Sequence, residues 1–314
     1  MSNWPNERKF AVAIWALATG GYVLWQGIPF DRATQFLIII TAALAFSIGT
    51  TTRAIRVFAD WVPFAILLYG YDYSRGAADT FGFKVRVEEI YNIELAWFGW
   101  LFEDKIPTVW LQQHLYDPNQ IAWWESLVAL VYVSHFVAPW AIVGILYVKN
   151  RELWAKFVRR VITISFAALI TYILIPAAPP WYDAREGLCE PVVRIATRGW
   201  EIIGLPIAGQ IISLGQGVVN QVAAIPSLHA GMAVTITLFF WARVGLKMKA
   251  FLTFYVALMF FALVFGGEHY IFDAILGAIY AVAVEYGCRA WERRSLSSRR
   301  GRRSLPTTLA QDDS

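Results

Sequence analysis

The sequence predicts an all-α fold, a polytopic integral membrane helical bundle with interfacial or re-entrant segments. Of the 314 residues, 58% are hydrophobic and only 16% are charged, a composition outside the range of ordinary soluble domains. The 15 Trp and 14 Tyr residues support the same fold class, because amphipathic rings favour membrane–water interfaces. The net charge of +4 is too small to indicate nucleic acid as a partner, so membrane lipids are the expected surroundings.

Apolar runs with few or no Lys or Arg residues mark the expected transmembrane helices. They lie near 10–27, 36–48, 57–70, 121–148, 158–175, 229–242, 250–266 and 270–288. A span needs about 20 apolar residues, and some of these runs are shorter, so about six to eight spans are predicted. The apolar stretch 202–221 is interrupted by Gly and Pro, and it is predicted to be interfacial or re-entrant.

The distribution of Lys and Arg predicts the orientation. Nineteen of the 27 basic residues lie in alternate connections, namely 1–9, 49–56, 149–160, 243–249 and 289–303. Cytoplasmic loops are the basic ones, so both termini are predicted to be cytoplasmic. The two longest remaining connections, 71–120 and 176–228, are then expected on the outer side of the membrane.

The chain is predicted to form a single membrane-embedded domain over 1–295. The residues that follow, 296–314, include the basic run SSRRGRRS and are predicted to be a disordered cytoplasmic tail that contacts anionic headgroups. The two cysteines, Cys189 and Cys288, fall on opposite sides of the membrane in this topology. They are therefore not expected to form a disulfide.

Two histidines and one aspartate are predicted to meet at the outer membrane face. His229 begins the sixth apolar run, and His269 and Asp273 begin the last one. Residues four apart share one face of a helix, so the carboxylate can fix the imidazole tautomer and leave its other nitrogen as a nucleophile or base. A charge inside a span costs about 2.5–3.5 kcal/mol, which favours a functional role. The alternative is a buried polar contact between helices.

The stretch AAIPSLHAGM around His229 predicts a helix start that can bind an anion. Pro226 suits the first turn of a helix, where the amides of Leu228, His229 and Ala230 would be unpaired donors. These amides and the helix dipole attract phosphate, and Ser227 can add a hydroxyl. A histidine beside bound phosphate can protonate a leaving oxygen. The alternative is a capping Pro-Ser pair with an incidental histidine.

These motifs carry a family resemblance. PSLHAG at 226–231 and HYIFDAILG at 269–277 resemble the second and third motifs of the type 2 phosphatidic acid phosphatase superfamily. PAAPPWY at 176–182 resembles the inositol phosphorylceramide synthase branch, which transfers an inositol-phosphate headgroup. The resemblance implies a catalytic core over about 121–290. It also implies that His269 attacks phosphorus to form a phosphohistidine, Asp273 orients it and His229 protonates the leaving group, with no metal or other cofactor.

The chain departs from the family pattern at the cations that hold phosphate. No Arg-Pro dipeptide of the first motif occurs, and Leu263 stands where the third motif normally has Arg. A phosphoryl transition state still needs its charge neutralised, so other cations are expected. Arg75, directly after the third apolar run, is the first candidate for a bidentate clamp. Its alternative role is a snorkelling arginine paired with Asp72 or Asp79.

Further candidates lie in the outer connection 176–228. Arg185, and Arg194 or Arg198, are weaker phosphate-binding candidates than Arg75, because loop charges are usually solvated. Trp181 and Tyr182 follow the PAAPP turn and could line the headgroup pocket.

The remaining histidines and one acidic neighbour are given no catalytic role. Glu268 adjoins His269 but points about 100° away around a helix. His135 lies within the fourth run, where a hydrogen bond to a neighbouring helix would explain it. His114 is expected on an interfacial helix over the site.

Three functions are therefore compatible with the sequence. The first is a plasma-membrane phosphotransferase that acts from the extracytoplasmic side on a phospholipid, with an alcohol or polyol as acceptor. The second is a lipid-phosphate phosphatase, with water as acceptor. The third is a lipid-phosphate transporter or flippase-like protein without cleavage, in which Asp60, Asp273 and Glu285 would be relay groups. The missing motif arginines favour the synthase-like branch over plain phosphatidate hydrolysis.

Overall fold

The computed structural model describes residues 4–26, 29, 32–49, 54–217 and 220–303. These residues form twelve α-helices, which are α1 (Asn6–Gln26), α2 (Arg32–Ser47), α3 (Ala54–Gly76), α4 (Glu88–Phe98), α5 (Pro107–Leu115), α6 (Glu125–Lys149), α7 (Arg151–Leu174), α8 (Pro180–Arg185), α9 (Pro206–Gly217), α10 (Leu228–Trp241), α11 (Leu246–Phe265) and α12 (Ile271–Arg303). Within these ranges β-structure is limited to two isolated bridges.

Each predicted span is a helix in the structure. By length and composition, α6, α7, α11 and the Ile271–Ser295 part of α12 can cross a membrane. Two further helices, α2 over Thr34–Ser47 and α10, are apolar but shorter. The all-α polytopic membrane fold is therefore confirmed.

Helix α10 lies at the centre of the bundle, in contact with α6, α7, α11 and α12. On one side α2 packs against α3 and α6, and α1 packs on the outside of α2 and has no buried residue. The largest core cluster includes Trp61, Phe157 and Phe239 from three different helices. The helix that begins at the PSLHAG motif is thus fixed in position by four neighbouring helices.

An ion-pair network holds the end of the bundle opposite that motif. Arg160 of α7 is fully buried, and it pairs with Glu285 and Glu292 of α12. Arg289 also donates to Glu285, at 2.5 Å. A buried charge is tolerated in a membrane helix when it is paired, and these contacts satisfy the carboxylates. They join α7 and α12 far from the PSLHAG end.

One segment, at the C-terminal end of the described residues, differs from expectation. Helix α12 continues through Arg303, so residues 296–303 of the predicted disordered tail are helical, and 304–314 lie outside the described residues. Within the predicted interfacial or re-entrant stretch 202–221, α9 is a helix of 12 residues, too short to span a bilayer at 1.5 Å per residue. The two cysteines are free, as predicted.

The connections 71–120 and 176–228 pack together above the PSLHAG end. Arg86 and Ala223 each form a parallel bridge with Ala177. The side chain of Gln112 donates to the carbonyls of Val193 and Phe265, both at 2.8 Å. These contacts tie α4 and α5 to the turns on which the candidate site is built.

Candidate active site

The start of α10 is fixed by three hydrogen bonds. Ser227 is the N-cap, and its Oγ accepts from the backbone N–H of Ala230 at 3.4 Å. The Ser227 N–H donates to the carbonyl of Asp273 at 3.0 Å, and the Tyr172 hydroxyl donates to the carbonyl of Pro226 at 2.8 Å. The helix therefore begins at Leu228 rather than Pro226. Since the Ala230 amide is already capped, the prediction of an unpaired donor there was wrong.

The start of α12 pairs an imidazole with a buried carboxylate. His269 Nδ1 lies 3.3 Å from Asp273 Oδ2, and the same oxygen accepts from the Tyr270 backbone N–H at 3.0 Å. Asp273 is 0% exposed and His269 is 7% exposed. A carboxylate beside Nδ1 requires that nitrogen to carry the proton, so Nε2 of His269 is left with its lone pair.

The two helix starts bring the two imidazoles together. The ring centroids of His229 and His269 lie 5.7 Å apart. Within the described part of the chain, two buried polar atoms at this point, His229 Nε2 and Asp273 Oδ1, have no hydrogen-bond partner. Buried polar atoms normally have a hydrogen-bond partner, so two unpaired atoms at one place are typical of a site that binds a polar ligand.

Two side chains of α6 enclose the His229 ring. Tyr132 stacks on it with centroids 4.9 Å apart and planes 17° apart, and the centroid of His135 lies 4.0 Å away. The sequence suggested only a helix-to-helix hydrogen bond for His135. The structure instead places its ring against His229, because α6 turns this face towards α10.

Arg75 lies within electrostatic reach of the start of α10. It occupies the last turn of α3, and its charge interacts with the His229 imidazole and with the hydroxyl of Tyr172. Its backbone carbonyl accepts from the Asn220 side chain at 3.2 Å. The side chain of Asp79, a suggested partner, lies outside the described residues.

A second arginine, Arg194, is held next to the His269 turn by Glu268, the residue that precedes His269. Arg194 donates two hydrogen bonds to Glu268, of 3.0 and 2.8 Å, and its guanidinium lies 4.7 Å from the centroid of the Trp181 ring. Glu268 thus has a structural partner and is not required as an acid or base. Arg194 was a weak candidate from the sequence, because its partner Glu268 lies 74 residues away and nothing near Arg194 indicates the contact.

Arg185 lies further out, on the aromatic pair of α8. Its guanidinium is 4.2 Å from the centroid of Tyr182 and 5.5 Å from that of Trp181, and it contacts Glu186 at 3.4 Å. About half of its side chain is exposed. Trp181 is therefore shared between Arg185 and the more buried Arg194.

A buried carboxylate supports the turn from behind. Asp183 is fully buried and accepts a hydrogen bond from the Tyr270 hydroxyl. Burial raises the pKa of Asp183 to about 7, against the lowering effect of the Tyr270 hydrogen bond, and the Asp273 charge raises it further. Asp183 and Tyr270 together join α8 to the start of α12.

Close packing of α10 on α12 sets the separation of the imidazoles. A Cβ atom on Gly277 would lie 2.2 Å from the carbonyl oxygen of Ser227, and one on Gly231 would lie 3.0 Å from the carbonyl oxygen of Gly277. Small residues let membrane helices approach closely, so both glycines are needed for this contact.

The fourth histidine, His114, is exposed and stacks on Trp110 of α5, with ring centroids 4.1 Å apart.

Comparison with known proteins identifies the family. The family model of the PAP2 superfamily, the type 2 phosphatidic acid phosphatases, matches residues 107–286. The chain belongs to this superfamily. It is also 27% identical over 273 residues to a phosphoinositol dihydroceramide synthase of Bacteroides thetaiotaomicron. The match covers 82% of this chain and 85% of the relative. No solved structure matches the chain significantly. This PAP2 member is an integral membrane enzyme, a lipid phosphotransferase or lipid-phosphate phosphatase.

Proposed function

We propose that this PAP2 enzyme transfers a phospho-headgroup between lipids through a phosphohistidine on His269. The observation that carries the proposal is the convergence of His229 and His269, with ring centroids 5.7 Å apart, beside the buried Asp273. Two imidazoles at this separation can contact opposite sides of one phosphorus centre. The name of the relative, a phosphoinositol dihydroceramide synthase, favours phosphoinositol as the group moved and a dihydroceramide hydroxyl as the acceptor.

In the first half of the reaction, Nε2 of His269 attacks phosphorus and the bond to the lipid oxygen breaks. Asp273 stabilises the positive charge that develops on the His269 ring. His229 gives its proton to the departing lipid alkoxide, which leaves as an alcohol. In the second half, His229 takes the proton of the acceptor hydroxyl, the resulting oxygen attacks phosphorus, and His269 is released. Water in place of the acceptor would give hydrolysis.

The phosphate is proposed to bind at the start of α10, with cations on either side. Ser227 and the amides of Leu228 and His229 are proposed to face it, since the N-terminal end of a helix favours an anion. Arg75 approaches from α3 and Arg194 from the outer connection. Trp181 and Tyr182, with Arg185 stacked on them, are proposed to line the headgroup pocket. The basic connections at the other end of the helices support an extracytoplasmic site in the plasma membrane.

The ion pairs of two acidic residues argue against the transporter alternative. Asp60, a suggested relay group, accepts from Arg151 at 2.6 Å, and Glu285 is paired with Arg160 and Arg289. Acids held by arginines in this way have a structural explanation. The third suggested relay group, Asp273, is bound to His269, as a hydrolytic or transfer mechanism requires.

The purified protein should be incubated with phosphatidylinositol labelled in the inositol ring, with and without dihydroceramide. We expect a labelled sphingolipid product that forms only when the acceptor is present. Release of labelled inositol phosphate at the same rate with and without acceptor would instead identify a hydrolase. A protein that leaves the label in phosphatidylinositol under both conditions would contradict cleavage altogether.

Arg75→Ala is expected to lower kcat/KM about 100-fold, because removing one donor to a transition-state oxyanion typically has an effect of this size. Arg75→Lys should recover part of the loss, since an ammonium keeps the charge without the bidentate geometry. Arg185→Ala is the matched comparison, and we expect a loss below tenfold because its side chain is half exposed and screened. Equal losses at the two arginines would refute the clamp role of Arg75.

A further inference from the structure

Glu94 is a buried carboxylate of α4, in the outer connection that precedes the matched motifs. It is 0% exposed, and each of its oxygens accepts one backbone N–H from the first turn of α12. Oε1 accepts from Ile271 at 2.8 Å, and Oε2 accepts from Phe272 at 3.1 Å. A carboxylate is normally expelled from an apolar interior, so these two hydrogen bonds account for its burial.

The contact completes a set of three capped amides. The first N–H groups of a helix have no partner inside the helix and carry the positive end of its dipole. At the start of α12, Asp273 accepts a hydrogen bond from the N–H of Tyr270, and Glu94 accepts hydrogen bonds from the N–H groups of Ile271 and Phe272. Two carboxylates thus fix three consecutive peptide groups immediately after His269.

Helix α4 is itself anchored against the same turn. Ile90, one helical turn before Glu94, is buried in a cluster with Tyr270 and with residues of α5. On the other side of Glu94, Trp97 meets Phe272 edge to face, with ring centroids 5.4 Å apart. Apolar contacts on both sides therefore hold the Glu94 carboxylate in place, and the carboxylate in turn holds the peptide groups.

We propose that Glu94 is a positioning residue, which acts through the first turn of α12 to keep His269 and Asp273 in the geometry for attack on phosphorus. The inference rests on the proposed role of His269. Glu94 does not contact the substrate phosphate in this arrangement. Because carboxylates already occupy the amides of α12, phosphate is directed to the start of α10, where the cap is the uncharged Ser227.

The experiment compares Glu94→Ala and Glu94→Gln with Glu89→Gln as the matched control. Glu89 lies on the same helix but is exposed, and it pairs with Lys84 and Arg86. Glu94→Ala should lower kcat about 100-fold while KM for the donor lipid changes less than twofold, because small displacements of reacting groups reduce rate rather than affinity. Glu94→Gln should recover part of kcat, since its single amide oxygen can accept from one of the two N–H groups. Glu89→Gln should match the wild type.

Hydrogen–deuterium exchange of a peptide covering 268–275 provides a readout that does not depend on activity. We expect faster exchange in Glu94→Ala and wild-type exchange in Glu89→Gln. A wild-type kcat in folded Glu94→Ala, or a raised KM with unchanged kcat, would overturn the inference. If Glu94→Ala does not fold, a wild-type kcat in Glu94→Gln overturns it and a reduced kcat supports it.

The two proposals fail in different ways. If the wild type turns over and His269→Ala does not, the proposed function stands and the Glu94 variants test only the positioning role. If the wild type shows no turnover with the lipids supplied, exchange decides: unchanged exchange at 268–275 in Glu94→Ala overturns the cap, and faster exchange supports it.

Discussion

His269→Ala is expected to abolish turnover, with a loss in kcat of about four orders of magnitude or more, because it removes the imidazole on which the proposed phosphoenzyme forms. The measurement is kcat together with the acid-labile, lipid-derived label that the proposed mechanism expects on the wild-type protein. His114→Ala is the matched control. It removes an exposed imidazole that stacks on Trp110, and it should keep both turnover and label.

The role of His229 can be separated from that of His269 by changing the leaving group. His229→Ala should turn over a natural lipid donor very slowly, since the departing alkoxide lacks a proton donor. A nitrophenyl phosphodiester releases nitrophenolate, which departs without protonation, so this substrate should restore much of the first half-reaction in His229→Ala but none in His269→Ala. Turnover of either substrate by His269→Ala would refute the nucleophile assignment.

Gly277→Ala is also expected to have a large effect. A methyl group at this position would lie 2.2 Å from the carbonyl oxygen of Ser227 and 3.1 Å from the Gly231 amide nitrogen, so the start of α10 must move away from α12. Overpacking of this kind costs about 1–3 kcal/mol of stability. Because the displaced turn carries His229, kcat should fall about 100-fold even in the folded fraction.

Gly287→Ala provides a control on the same helix. Nothing lies within 4 Å of a Cβ atom at Gly287, and alanine is the better helix former, so stability should be unchanged or slightly raised. The thermal midpoint and kcat of both variants should be measured in the same detergent. The close-packing account fails if Gly277→Ala is as stable and as active as Gly287→Ala.

The bundle and the central residues of the site could be predicted because their signals are local. Apolar runs mark the helices, and α10 and α12 begin within one residue of the predicted starts at 229 and 270. The pairing of His269 with Asp273 followed from their spacing, but the expected shared helix face was wrong, because α12 begins only at Ile271 and His269 lies in the turn before it. Topology then brought His229 to the same end of the bundle.

The residues that support the site could not be predicted, because their partners are remote in sequence. Arg194 meets Glu268 from 74 residues away, and Glu94 meets Ile271 from 177 residues away. His135 lies on a helix that is apolar on nearly every face, so its rotation towards His229 leaves no pattern. Glu94 offered one weak signal, since it is a charge four residues after Ile90 and thus on the buried face of α4.

The bridges that join Arg86, Ala177 and Ala223 have a consequence for the order of assembly. These residues are separated along the chain by whole helices, so their backbones can meet only after α7 and its neighbours are in place. Contacts between distant parts of a chain carry a high entropic cost until the intervening segments are fixed. The turns that hold the reacting groups therefore belong to a late-forming part of the molecule. A chain interrupted before Ala223 would have most of its helices but would lack the residues of the candidate active site.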